Sequence, residues 1–183
     1  TPVPYEPGDG VARAEKTADG VRLVRDGRTV WAFSTAGGKP SVHPLCFPDG
    51  NAVTDSLDAD HPWHRGLWFS WKFLNGVNFW ETDAYGESEG EQRVAACDVR
   101  TQGGGATVRM DVQWGPRSEP SRVFLDERRE IVFSEPDADG AYEIRWKARF
   151  TARETTVVER TPPRTLADGR RRGGYAGLSL RLA

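Results

Sequence analysis

Three histidines, His43, His61 and His64, fall within 22 residues of a 183-residue chain that contains no others. The same stretch, 43–83, holds Asp49, Asp55, Asp58, Asp60, Glu81 and Asp83, together with Trp63, Trp68, Trp71 and Trp80. An imidazole with its ordinary pKa of about 6.5 gives and takes protons near neutral pH. Imidazole and carboxylate together also suit zinc, iron or manganese. Three chemistries are therefore compatible with these residue types. His61 and His64 can serve as general acid and base on a sugar-like substrate, with Arg65 steadying an oxyanion or a carboxylate. His43, His61 and His64 can hold one divalent transition metal. All three can instead be structural, holding a loop by hydrogen bonds. The tryptophans divide in the same way, offering flat faces to a sugar ring or filling a core.

The elements that must carry these residues follow from spacing. His61 and His64 are three apart, and on a regular strand such positions point to opposite faces. Pro62 opposes a central strand. The two imidazoles can therefore converge only if 60–65 is a turn or short helical turn, for which Asp60 suits the N-cap and Pro62 the first turn. Residues 67–73, LWFSWKF, read as a strand with Leu67, Phe69, Trp71 and Phe73 on one side. Trp68, Ser70 and Lys72 fall on the other, and apolar residues on both sides predict a covered strand.

Elsewhere the chain is punctuated by Asp-Gly pairs at 19–20, 26–27, 49–50, 139–140 and 168–169. Asp-Gly favours tight turns because Gly and Asp tolerate positive φ. Segments 21–25 and 29–33 predict one hairpin around Asp26-Gly27. Segments 108–114 and 142–150 alternate with a period of two, as does 175–183, where Leu178, Leu180 and Leu182 oppose Ser179 and Arg181. Segments 123–134 and 155–161 are expected partners, and no stretch carries helical periodicity over ten residues. The expectation is all-β: one antiparallel β-sandwich domain over 1–183. The strand pattern runs to the last residue, so the sandwich is expected to be incomplete at its C-terminal end.

Charge narrows the partners. With 25 basic and 27 acidic residues the formal net charge is -2, which gives no electrostatic case for nucleic acid or an anionic membrane. No apolar run approaches the roughly 20 residues of a spanning helix. Cys46 and Cys97 are expected to be free thiols.

The segments His43-Pro44-Leu45, Pro48-Asp49-Gly50, Asp60-His61-Pro62-Trp63-His64-Arg65-Gly66-Leu67-Trp68-Phe69 and Asn75-Gly76-Val77-Asn78-Phe79-Trp80 resemble the bacterial PmoA-like family, which carries a methane oxygenase label. The ending Gly174-Tyr175-Ala176-Gly177-Leu178-Ser179-Leu180-Arg181 resembles it too. Trp63 stands where that family usually has a histidine. The resemblance implies a sandwich similar to the galactose-mutarotase type, which binds sugars on a concave face and uses histidine and carboxylate as acid and base. The combined expectation is a carbohydrate-active protein with His61, His64 and Asp60 catalytic. His43, Arg65, Trp68 and Trp80 would bind a small-molecule or glycan substrate, with no cofactor. The alternatives are a metal-dependent hydrolase or oxygenase using the three histidines, and a non-catalytic glycan-binding module.

Overall fold

A computed structural model describes residues 10–59, 61–83, 86–174 and 176–183, without the side chains of Asp58, Arg171 and Arg172. The first strands are β1 (Arg13–Lys16), β2 (Gly20–Arg25), β3 (Arg28–Ser34), β4 (Ser41–Leu45), β5 (Ser56–Asp58), β6 (His61–Arg65), β7 (Leu67–Ser70), β8 (Phe73–Leu74) and β9 (Val77–Asn78). Then come β10 (Gly90–Gln102), β11 (Gly105–Pro116), β12 (Leu125–Phe133), β13 (Ile144–Ala152), β14 (Val158–Glu159), β15 (Arg164–Thr165), β16 (Arg171–Arg172) and β17 (Gly177–Leu180). Among the described residues there is one 3₁₀ turn, Ala36–Gly38, and no α-helix. None of them forms a helix long and apolar enough to cross a membrane.

The fold is all-β and antiparallel, as the alternating segments predict. One sheet has the order β1-β2-β3-β4-β7-β17 and the other β10-β11-β12-β13. The hairpin predicted around Asp26-Gly27 joins β2 to β3, and both turn residues have positive φ, 50° and 73°. Such a turn matches the right-handed twist of its strands. Gly103 and Gly104 close the longest hairpin, β10–β11.

The two sheets face each other. Trp31 of β3 stacks on Phe133 of β12 with ring centroids 4.0 Å apart and planes 15° apart. Stacking of this kind adds about 0.5–1.5 kcal/mol beyond area burial. Along β11 the residues Val108, Met110, Val112 and Trp114 point into this core while Arg109 and Asp111 are exposed. Period-two patterning thus becomes the inner and outer faces of a sheet.

Two predicted elements differ. The 155–161 segment forms only β14, and its partner is β8 rather than a long neighbouring strand. The strand β17 pairs with β7, but Leu178, Leu180 and Leu182 are exposed. The alternation there is real, yet β17 is an edge strand and its leucine side has no sheet packed over it among the described residues. Cys46 and Cys97 are both free thiols.

Candidate functional site

The strand β7 organises the site. Phe69 reaches into the inter-sheet core, 6.1 Å from the Trp114 ring and 5.5 Å from the Phe150 ring. Trp68 points the other way, toward His64 at 5.1 Å and Trp80 at 5.4 Å. The alternation read in 67–73 is present, although the strand ends at Ser70 and resumes as β8. One face of β7 thus serves the core and the other the histidines.

The segment expected to be a turn, 60–65, is instead a strand from His61 onward. It pairs with β5 in a separate two-stranded hairpin, through Ser56↔Arg65 and Asp58↔His61. A step of two residues on β5 is therefore matched by four on β6. The surplus residues bulge the strand and reset its period, which is how residues three apart come to share a side. The rings of His61 and His64 stack with centroids 4.9 Å apart and planes at 12°. Pro62 is tolerated because β6 has a single partner strand and Pro needs no donor on the open side. Asp60, expected to be catalytic or a cap, lies outside the described residues.

Below the histidines lies an aromatic floor. Trp68 and Trp80 are only 2% and 4% exposed. Buried to that extent, they support His64 from beneath and present no open face for stacking on a sugar. Trp63, half-buried and edge-on to His61 at 5.4 Å, is the tryptophan of this group on the accessible side.

His43 lies on a different strand, β4. Its Nδ1 lies 3.0 Å from the Thr54 hydroxyl, which also accepts the Leu45 amide at 3.0 Å. Burial lowers the His43 pKa, partly offset by the nearby Asp55 carboxylate. Among the described residues no three His, Cys, Asp or Glu side chains converge as metal ligands. Gly66 joins β6 to β7 with φ +72°, and a Cβ there would lie 2.4 Å from the Val42 carbonyl oxygen and 2.8 Å from the His43 Cβ. Gly66→Ala is therefore expected to destabilise the fold by about 1–3 kcal/mol, read as a lower midpoint in urea unfolding with an unchanged slope.

A cationic group borders the aromatic floor. Lys39, 5% exposed, donates to the Trp80 carbonyl. Lys72, equally buried, pairs with Glu81, which also accepts from Asn78 Nδ2 at 2.8 Å. Those bonds hold the Glu81 carboxyl below its usual range against the opposing effect of burial. The Arg65 guanidinium lies beside Gly37 and makes no hydrogen bond or ion pair among the described residues, and its buried Nε is unpartnered. Glu81 also walls an open cleft of about 560 Å³ with Asn78, Thr82, Asp83, Glu87 and Arg117.

Burial, the Arg65 charge and the Lys72 charge push Lys39 down to about 7, with Glu81 opposing. An unfolded lysine titrates at about 10.4. Between those values the unfolded chain binds the extra proton, so this residue makes stability rise with pH from about 7 to about 10. The gain is complete above the unfolded pKa and is lost progressively as pH falls from about 10 to about 7. Lys39→Met is expected to flatten that rise, seen by comparing urea midpoints of the two proteins at pH 6.5 and pH 9.

Lys39 escapes sequence reading because nothing local marks it: the carbonyl that holds it belongs to Trp80. Lys72 and Glu81 are within the histidine-rich stretch, but their pairing requires the β8–β9 turn to bring them together.

Comparison with known proteins corrects the family reading. A model of the family of unknown function DUF6807 matches residues 20–183. No curated protein and no solved structure matches the chain. The PmoA-like resemblance and its methane oxygenase label are therefore set aside: the motifs around His61 and Trp80 lead to a different family, and no link to that oxygenase is found. The likeness to galactose-mutarotase sandwiches is likewise unsupported beyond the antiparallel two-sheet architecture. The chain belongs to the family of unknown function DUF6807.

Proposed function

We propose that this protein is carbohydrate-active and that His61 and His64 perform acid/base chemistry on a sugar. The observation that carries the reading is the stacked imidazole pair, half-buried on an edge hairpin and backed by Trp68 and Trp80. One neutral imidazole accepts a proton and a neighbouring protonated one donates, which suits ring opening, epimerisation or cleavage at an acetal carbon. The packed tryptophan floor fixes the His64 ring, so the orientation is set before a ligand arrives. Trp63 offers an apolar ring edge beside the pair, and Arg65 follows His64 directly in β6.

The test is a screen of mono- and disaccharides by proton NMR, with the wild type and a His61→Ala/His64→Ala variant side by side. Conversion or exchange of a sugar by the wild type, lost in the folded variant, is the expected result. A sugar converted equally by both proteins would remove these histidines from the chemistry. Binding that needs Trp63 but neither histidine would make the protein a glycan-binding module.

A further inference from the structure

We infer that Lys39 and Arg65 form an anion subsite beside the His61–His64 pair, and that the natural ligand is a sugar bearing an acidic group. This rests on the carbohydrate reading above and narrows it to a substrate class.

The argument begins with charge balance. The Arg65 guanidinium lies against Gly37, two residues from Lys39, and the charges of Arg65, Lys72 and, among the described carboxylates, Glu81 all act on Lys39. Glu81 is already engaged by Lys72 and Asn78. Lys39 has a neutral carbonyl for its partner, and Arg65 has no partner among the described residues. Among the described residues, neither cation is bonded to a carboxylate, and Lys39 is only 5% exposed. An ionised ammonium removed from water without a counter-charge is strongly disfavoured. Its lowered pKa is the visible consequence.

An arriving carboxylate or phosphate supplies the missing charge. The Arg guanidinium presents a planar fork that matches either group in a bidentate arrangement. Lys39 lies on the Trp80 side of the same cluster, and the Trp80 ring is 6.4 Å from the His64 ring. An acidic group held there leaves the sugar ring to extend toward the histidines. Near pH 8 Lys39 is largely neutral, so binding an anion draws a proton from solvent onto its Nζ. The proton leaves a buffer acid, which becomes its conjugate base, and the ligand itself loses no atom.

The experiment is calorimetric titration of the full chain at pH 8 in two buffers of different ionisation enthalpy. The ligands are D-glucuronate, D-glucose 6-phosphate, D-glucose and acetate. The expected result is that one of the two acidic sugars binds at least tenfold more tightly than D-glucose, with net proton uptake. Which of them does so separates a carboxylate from a phosphate ligand. Lys39→Met is expected to abolish the proton uptake and Arg65→Gln to remove the preference for the acid. Replacing a buried cation by an apolar side chain of similar length leaves Lys39→Met able to fold. Acidic sugars that bind no better than D-glucose would overturn this inference and leave the acid/base reading standing. So would tight acid binding that is unchanged, proton uptake included, in Lys39→Met and Arg65→Gln. Binding of acetate with no sugar bound at all would remove the carbohydrate reading and this inference together.

Discussion

Glu127→Gln is expected to lower the unfolding free energy by about 3–5 kcal/mol, among the largest stability losses available to one substitution in this fold. Glu127 and Arg129 are both fully buried and face inward from β12. The Glu127 carboxylate accepts Arg129 Nε at 2.6 Å, Arg129 NH2 at 2.8 Å and Trp114 Nε1 at 2.8 Å. The guanidinium also lies 5.0 Å from the Trp146 ring and donates to Gln92 Oε1 at 3.3 Å. Gln92 Nε2 then donates to the Phe69 carbonyl at 3.1 Å, which carries the network from the four-stranded sheet to β7. Glutamine keeps the shape but strips Arg129 of its counter-charge in a place water does not reach. Replacing both, as Glu127→Leu/Arg129→Met, is expected to recover most of the loss, because no buried charge is then left alone. Urea unfolding of the three proteins checks this, and a double variant no more stable than Glu127→Gln would show that the pair stabilises by more than mutual neutralisation.

His64→Gln is expected to reduce turnover of whichever sugar the screen identifies by about 10²–10⁴-fold, with its main effect on kcat. His64 is bedded in aromatic rings: His61 stacks on it, Trp68 lies 5.1 Å away, and Trp80 meets it edge-on at 6.4 Å. Glutamine fills similar space but cannot exchange a proton near neutral pH. If the two rings act as one unit, His61→Gln/His64→Gln is expected to be little worse than the more damaging single variant. Steady-state kinetics on the three variants, with circular dichroism to confirm folding, decides this. A loss below tenfold in a folded His64→Gln protein would assign the proton transfers to other groups.

The sequence made the two-sheet architecture legible where one face is apolar and the other charged, as at β11. The Asp26-Gly27 hairpin was readable because its turn chemistry is entirely local. The inward face of β12 was harder, since Glu127 and Arg129 occupy positions where an apolar pattern would place leucines. Their charges neutralise each other, and that compensation depends on three-dimensional pairing. Convergence of the histidines was tied to a turn over 60–65, and it arises on a strand instead. The actual cause is a mismatch of length between β5 and β6, a property of two strands together that neither segment displays alone. Lys39 was invisible for the same reason, its burial being supplied by a carbonyl far along the chain.

The placement of β7 has a consequence for how the molecule fluctuates. Its Phe69 side is anchored in the inter-sheet core and its carbonyl in the Gln92 network, while its Trp68 side is the floor of the histidine site. Among the described residues, β5 and β6 pair only with each other, in a sheet of their own. Amide hydrogens of β5 and β6 are therefore expected to exchange with solvent faster than those of β7, whose opening costs the packing of both its faces.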